Sequence, residues 1–287
     1  VESIELQGLA ASSETGREFR VSRYTLVGDA GHTRVKLALC RNEEGGQLPT
    51  PVDSVAAVYD VPLDWEKVHQ WTQEHSITSV VITGTNESRA RALVDSWPAS
   101  LPTPFFLKDK TLIPITIDVM FPQKVGMDRL LNGVAANVIR EAGQPAIVVD
   151  SGTAITVDLV SADGSFRGGS ILPGILLGAK SLHEETTTLP HVNVWELLKK
   201  EPAPLGRCTE DAIAAGLYWG HLGAVKEMIS RYRDILPASD PEPLVLLTGG
   251  ASVILAPYIP GSRREPDLSL QGLAVVANQL DTRSGTH

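Results

Sequence analysis

Two related α/β lobes facing each other across a cleft are the architecture this 287-residue sequence predicts. Two observations carry the prediction. Asp29-Ala30-Gly31-His32-Thr33 is echoed by Asp150-Ser151-Gly152-Thr153. Each copy also follows an apolar strand-like run and precedes an alternating one, so the flanks repeat with the motif. The copies stand about one small-domain length apart, as an internal duplication would place them.

The elements follow in order. Residues 1–22 are polar and aperiodic and read as a flexible N-terminal extension. A first lobe is expected over 23–143 and a second over 144–287. From Tyr24 to Cys40 two strands flank the first loop, and Val35, Leu37 and Leu39 alternate with Lys36, Ala38 and Cys40 as in a half-buried strand. An apolar run at Val55–Tyr59, a helix near Trp65–Glu74, a buried strand at Ser79–Thr85 and a short helix around Ser88–Ser96 come next. A Pro-interrupted connection ends near Pro122. Residues 126–142 form an amphipathic helix with Leu130, Leu131, Val134, Ala135, Val138 and Ile139 on one stripe. Strands over 146–160 and 163–174 precede helices through Ile175–Leu189 and Thr209–Ile235, the latter with Thr209 as N-cap and two acids in its first turn. A strand at 243–252 ends in Gly249-Gly250, and SLQGLAVVANQL closes as a helix.

Composition narrows the function. A hydrophobic fraction of 43% with 21% charged residues is that of a globular protein, and no apolar run reaches the length of a membrane span. A net charge of −9 argues against nucleic acid as partner. It leaves ATP open, since a nucleotide needs local N–H groups, one or two bases and a metal. Two cysteines, Cys40 and Cys208, form neither a disulfide framework nor a metal spacing, and a cytoplasmic setting is expected.

The repeated loop suits a phosphate. Gly31 lets backbone N–H groups approach an anion without a Cβ in the way. Thr33 adds a hydroxyl, Lys36 a movable positive charge, and Asp29 a carboxylate able to hold Mg²⁺. Gly152 and Thr153 would supply the same cradle from the other lobe. One loop alone is equally a hairpin turn; the pair favours the phosphate clamp. At the start of the 126–142 helix, the dipole favours an ionised Asp128, the state a general base for phosphoryl transfer requires. Arg129 is suited to a bidentate grip on a substrate carboxylate. On the residues alone, a capping acid beside a solvated arginine is the simpler reading of this pair. Gly249-Gly250 reads as a nucleotide-side loop or a helix-entry turn. Gly168-Gly169 and Pro173-Gly174 read as hinge or substrate-loop elements, or equally as tight turns. His183, His191 and His221 read as surface or interface residues, without ligand spacing.

DAGHTRVK, GMDRLLNGVAA, VVDSGTAITVDLV, FRGGSILPGILLGAKSL, TTTLPHV, GRCTEDAIAAGLYWG and LLTGGAS, in this order, resemble the type III pantothenate kinases. That family lies in the acetate and sugar kinase, actin-like superfamily. The resemblance is dense from about Val125 to Leu280; before that it rests on the opening loop. It implies two ribonuclease-H-like lobes of the actin-like ATPase type around a nucleotide cleft. It implies a homodimer that phosphorylates the primary hydroxyl of pantothenate with ATP, using Mg²⁺ and a monovalent cation, K⁺ or NH₄⁺. Residue by residue, Asp29, Ala30, Gly31, His32, Thr33, Arg34, Val35 and Lys36 would form the ATP phosphate loop, with Asp29 on magnesium. Gly126, Met127, Asp128 and Arg129 would line the pantothenate site, with Asp128 accepting the proton. Asp150 would hold the monovalent cation, Thr153 the nucleotide, and Thr186 pantothenate from the neighbouring subunit.

Three positions depart from the family pattern. His32 replaces an asparagine in the loop. Val119 stands where a tyrosine is usual, leaving Phe121 as the nearby aromatic, and Glu185 replaces an arginine. These departures keep two alternatives in view: a non-catalytic regulatory relative of the same fold, and a kinase for another small hydroxy acid.

Overall fold

The computed structural model describes residues 23–59 and 61–284; the expected 1–22 extension lies outside the described residues. Its first half runs β1 (Tyr24–Ala30), β2 (Arg34–Arg41), β3 (Thr50–Val58), α1 (Trp65–Glu74), β4 (Ile77–Thr83), α2 (Glu87–Asp95), β5 (Phe105–Phe106) and α3 (Met127–Ile139). The second half runs β6 (Ala146–Ser151), β7 (Ala154–Val160), β8 (Phe166–Pro173), α4 (Ile175–Glu184), α5 (Val194–Leu197), α6 (Thr209–Ile235), β9 (Leu244–Thr248), α7 (Ser252–Leu255), β10 (Arg263–Arg264) and α8 (Leu268–Ser284).

The two sheets have one topology. The first is ordered β3-β2-β1-β4-β5 and the second β8-β7-β6-β9-β10. In each, three antiparallel strands are followed by two added parallel to the first. Read with the echoed loops, this is a duplicated ribonuclease-H-like arrangement, the actin-like fold expected from the sequence. Parallel addition needs a crossover, supplied by α1 in the first half and by the 27-residue α6 in the second.

The last helix of each half packs between the sheets. Leu130, Leu131 and Val134 of α3 and Leu270, Leu273, Ala274 and Ala277 of α8 share a buried cluster with Val27, Ala38 and Cys40 of the first sheet. Ala135 and Ala136 of α3 pack on Ala146 and Val148 of the second. Outside, α1 and α2 cover the first sheet, while α4 and α6 cover the second. This layering corrects the half-buried reading of β2. Ala38 and Cys40 are fully buried like Leu37 and Leu39, because α8 covers the face that alternation assigned to solvent.

Three ends also differ from expectation. The 126–142 helix stops at Ile139, ahead of Gly143 with its positive φ of 77° and of Pro145. The helix from Ile175 stops at Glu184, before the β-branched run Thr186–Thr188, which disfavours helix. Cys208, not Thr209, is the N-cap of α6, and its side chain makes no capping bond.

Gly272 sets the closeness of α3 and α8, since a Cβ there would fall far inside contact distance of the Leu131 carbonyl oxygen. Most helical Gly→Ala changes gain about 1 kcal/mol. Gly272→Ala should instead lose about 1–3 kcal/mol by forcing the helices apart, read as a lower urea midpoint. An unchanged or raised midpoint would contradict this packing.

Candidate functional site

A cleft of about 1200 Å³ opens between the two halves, lined among others by Asp29, Gly31, His32, Asp128, Asp150 and Thr153. Asp29, next to last in β1, pairs with Lys36, and Asp150, next to last in β6, with Thr156, so each hairpin offers one carboxylate in the same register. The loop tips meet across the cleft: Thr33 Oγ1 and Thr153 Oγ1 are 3.2 Å apart.

Glycines let the backbones converge here. The Gly152 N–H donates to the Ala154 carbonyl at 3.0 Å and the Gly174 N–H to that of Thr153 at 3.0 Å. A Cβ on Gly174 would collide with the carbonyls of Gly152 and Thr153. Gly249, at φ 82°, lies under the same loop, where a Cβ would come 2.5 Å from Asp150 Oδ1. Gly249-Gly250 is thus a helix-entry turn that also supports the loop, with the Ala251 N–H donating to Ser151 at 2.9 Å. Gly169 follows close strand contact, since a Cβ there would strike the Val157 carbonyl.

Each carboxylate shows the cleft a limited surface and is otherwise enclosed by protein. Burial first, then the negative charges of Asp128 and Asp150, push Asp29 up to about 7. Burial raises Asp150 to about 6 against the pull of a hydrogen bond from Asn132. Asp128 is raised too, chiefly by burial, which outweighs the backbone hydrogen bond of Arg129 and that residue's charge. Loss of water at Asp128 thus acts against the helix-start dipole, which favours the ionised form. A raised Asp128 is also the stronger base.

The remaining expected residues fall in two groups. Gly126, Met127 and Arg129 line the cleft with Asp128. Arg129 does not extend freely into it: its Nε lies 3.0 and 3.1 Å from the two oxygens of buried Asp158, and its Nη2 also bonds Asp158. His32 faces the cleft with Nδ1 3.4 Å from Thr85 Oγ1. Ala30 and Val35 are buried in the hairpin core, so only their backbone is available to a ligand. Lys36 is ion-paired with Asp267 at the start of α8 and does not line the cleft. Arg34 is exposed and exerts a lowering pull on Asp29. Thr186 lies past the end of α4, outside the cleft lining, donating to the Leu182 carbonyl at 2.6 Å.

Sequence reading missed Asn132, Asp158 and the placement of His221. The Asn132 amide donates to Asp150 Oδ2 at 3.0 Å, while its buried Oδ1 has no hydrogen-bond partner. Its signal was available, as a polar residue one helical turn past Asp128 within an apolar stripe. His221, expected at the surface or at an interface, is buried on α6 with Nε2 2.9 Å from Ser151 Oγ. Burial lowers it to about 4, so a neutral ring anchors the second loop.

The comparisons with known proteins agree on a family. A model of the type III pantothenate kinase family matches residues 25–231. A type III pantothenate kinase of Rubrobacter xylanophilus is 41% identical over 158 residues, 54% of this chain and 58% of the relative. One of Koribacter versatilis is 36% identical over 184 residues, 62% of each. The chain thus spans about three fifths of the length of these relatives. A crystal structure from Campylobacter jejuni, of a protein assigned to the Baf family of transcriptional activators, superposes with a TM-score of 0.56 at 19% identity. It covers 90% of this chain and 99% of its own, which speaks to the fold.

The raised carboxylates give a pH dependence with a fixed sign. From an ordinary value of 3.8, Asp29 and Asp150 move to about 7 and about 6, so the folded state binds more protons in that window. Their contribution is complete below about pH 4 and is lost as pH rises towards 7. The thermal midpoint of the ligand-free protein should fall between about pH 5 and 8, less steeply in Asp29→Asn. A wild-type midpoint that rises across that range would contradict the carboxylate cluster.

Proposed function

The chain belongs to the type III pantothenate kinase family, and from that membership and the cleft we propose that it transfers the γ-phosphoryl group of ATP to the primary hydroxyl of pantothenate, the first step towards coenzyme A. The observation that carries the reading is the meeting of two glycine loops, each behind a carboxylate, beside a helix that begins with a third. The lobes are taken as residues 23–143 and 144–287.

Asp128 accepts the proton of the acceptor hydroxyl as that oxygen forms its bond to the γ-phosphorus. The bond to the bridging oxygen of ADP breaks in line, and the proton stays on the Asp128 carboxyl. The N–H groups of His32 and Thr153 are the candidate donors to the phosphates, those of Gly31 and Gly152 being engaged within their own turns by the Arg34 and Ala154 carbonyls. Arg129, held by Asp158, borders the acceptor. Hard oxygen donors suit the cations: Asp29 fits Mg²⁺, which takes one or two carboxylates and completes its shell with phosphates and water. Asp150 with the unpartnered Asn132 Oδ1 fits K⁺ or NH₄⁺. Bound there, the cations would neutralise charge on the phosphates.

A homodimer in the cytoplasm completes the reading, with Thr186 reaching the neighbouring acceptor site. The exposed Ile171, Leu176 and Leu177, on β8 and on the helix preceding Thr186, support a subunit contact there. No helix of the described residues is long and apolar enough to cross a membrane.

ADP formation with ATP, Mg²⁺, K⁺ and pantothenate tests the proposal. Asp128→Asn should lower turnover by about 10²- to 10⁴-fold with ATP affinity retained. Undiminished turnover would remove Asp128 from its role. A wild type that forms no ADP would favour a regulatory relative; turnover with a different hydroxy acid would reassign the acceptor.

A further inference from the structure

The backbone of the first glycine loop is tied down from outside the cleft. The Asn86 N–H, at the N-cap of α2, donates to the Ala30 carbonyl at 3.3 Å, and the Gly31 N–H donates to that of Arg34 at 3.0 Å. Gly84, just past β4, lies so near that a Cβ on it would come 2.5 Å from the Ala30 carbonyl oxygen. The Gly31 carbonyl is taken by a side chain 28 residues on, accepting from the Tyr59 hydroxyl.

Tyr59 follows β3 and stands outside the cleft lining, to which Gly31 and His32 belong. Its half-buried ring packs against the outer core of the first sheet. The Arg89 guanidinium of α2 lies over that ring, its carbon 4.0 Å from the centre, an attraction that steadies the phenol. Burial, ahead of the opposing charge of Arg89, raises the hydroxyl above its ordinary value, so Tyr59 stays protonated and able to donate.

This bond bears on the one peptide unit that faces a ligand. The Gly31–His32 peptide is trans, and in a planar trans peptide the carbonyl and the following N–H point in opposite directions. Drawing the Gly31 carbonyl towards Tyr59, away from the cleft, turns the His32 N–H into it. That N–H is one of the two candidate phosphate donors. Donors to a phosphate act best when they are oriented before it arrives.

We propose that Tyr59, steadied by Arg89, is a positioning residue for phosphoryl transfer, its hydroxyl holding the Gly31 carbonyl so that the His32 N–H stands ready for a nucleotide phosphate. The inference rests on the nucleotide reading of the cleft, and its test reads binding without turnover. Amide ¹H–¹⁵N spectra and calorimetric titration with ATP·Mg²⁺ compare the wild type with Tyr59→Phe and Arg89→Leu. In the wild type the His32 amide proton should move downfield when ATP·Mg²⁺ binds. Tyr59→Phe keeps the ring and its stacking but lacks the hydroxyl. Its affinity for ATP·Mg²⁺ should fall about tenfold, the share of one hydrogen bond to a charged group, and the downfield move should shrink. Arg89→Leu leaves the hydroxyl in place and should weaken ATP·Mg²⁺ only about two- to threefold. A His32 amide unmoved by ATP·Mg²⁺ in the wild type would overturn the proposal, as would undiminished affinity in Tyr59→Phe. So would a Tyr59→Phe protein that loses thermal stability while its His32 shift stays intact, the mark of a merely structural bond. A wild type with no affinity for ATP·Mg²⁺ would overturn the nucleotide reading itself, and this inference with it.

Discussion

Three carboxylates brought out of water into one cleft are the constraint on which the rest of the molecule depends. Asp29, Asp128 and Asp150 repel one another and are each raised by burial. Such a cluster persists only where the surrounding fold enforces it. The enforcement comes from α3 and α8, crossing between the sheets at Gly272. The helix α3 carries Asp128 at its first turn and Asn132 one turn later, so one rigid element fixes the acid of the helix start and also orients Asp150 on β6. No three carboxylates, histidines or cysteines among the described residues are close enough to hold one ion together. The acids stand apart around the cleft, the space in which we propose that a polyanionic nucleotide and its cations sit.

The cleft also divides by charge. Acids gather where the glycine loops meet, and lysines stand on the flank beyond β5. Between them Arg129 is locked to Asp158 in an arrangement that spends its charge on structure. Its remaining function is to hold the start of α3 against the second sheet, which keeps Asp128 in place. The neutral His221 under Ser151 serves the opposite loop in the same manner.

Sequence periodicity made much of this visible. The two hairpins follow from alternating apolar residues broken by Asp and Gly, and α1 and α6 have the bounds their patterns suggested, because an amphipathic face is a local property. Partners distant in sequence were not visible. Lys36 meets Asp267 across 231 residues, and the two loop threonines meet across 120. The double burial of β2 likewise depends on α8, from the far end of the chain. Asp128 was legible as a residue but not in its ionisation, since burial is a consequence of the whole fold. Lys108 and Lys110 carried no pattern until β5 placed them at the rim of the cleft.

The central claim, that Asp29 and Asp150 stay partly protonated until cations and phosphates replace their protons, is open to one direct measurement. ATP·Mg²⁺ is titrated calorimetrically into the protein at about pH 6.5 in two buffers of different ionisation enthalpy. Binding should release protons, so the two heats should differ, and Asp29→Asn should diminish the difference. Equal heats in both buffers would contradict the account.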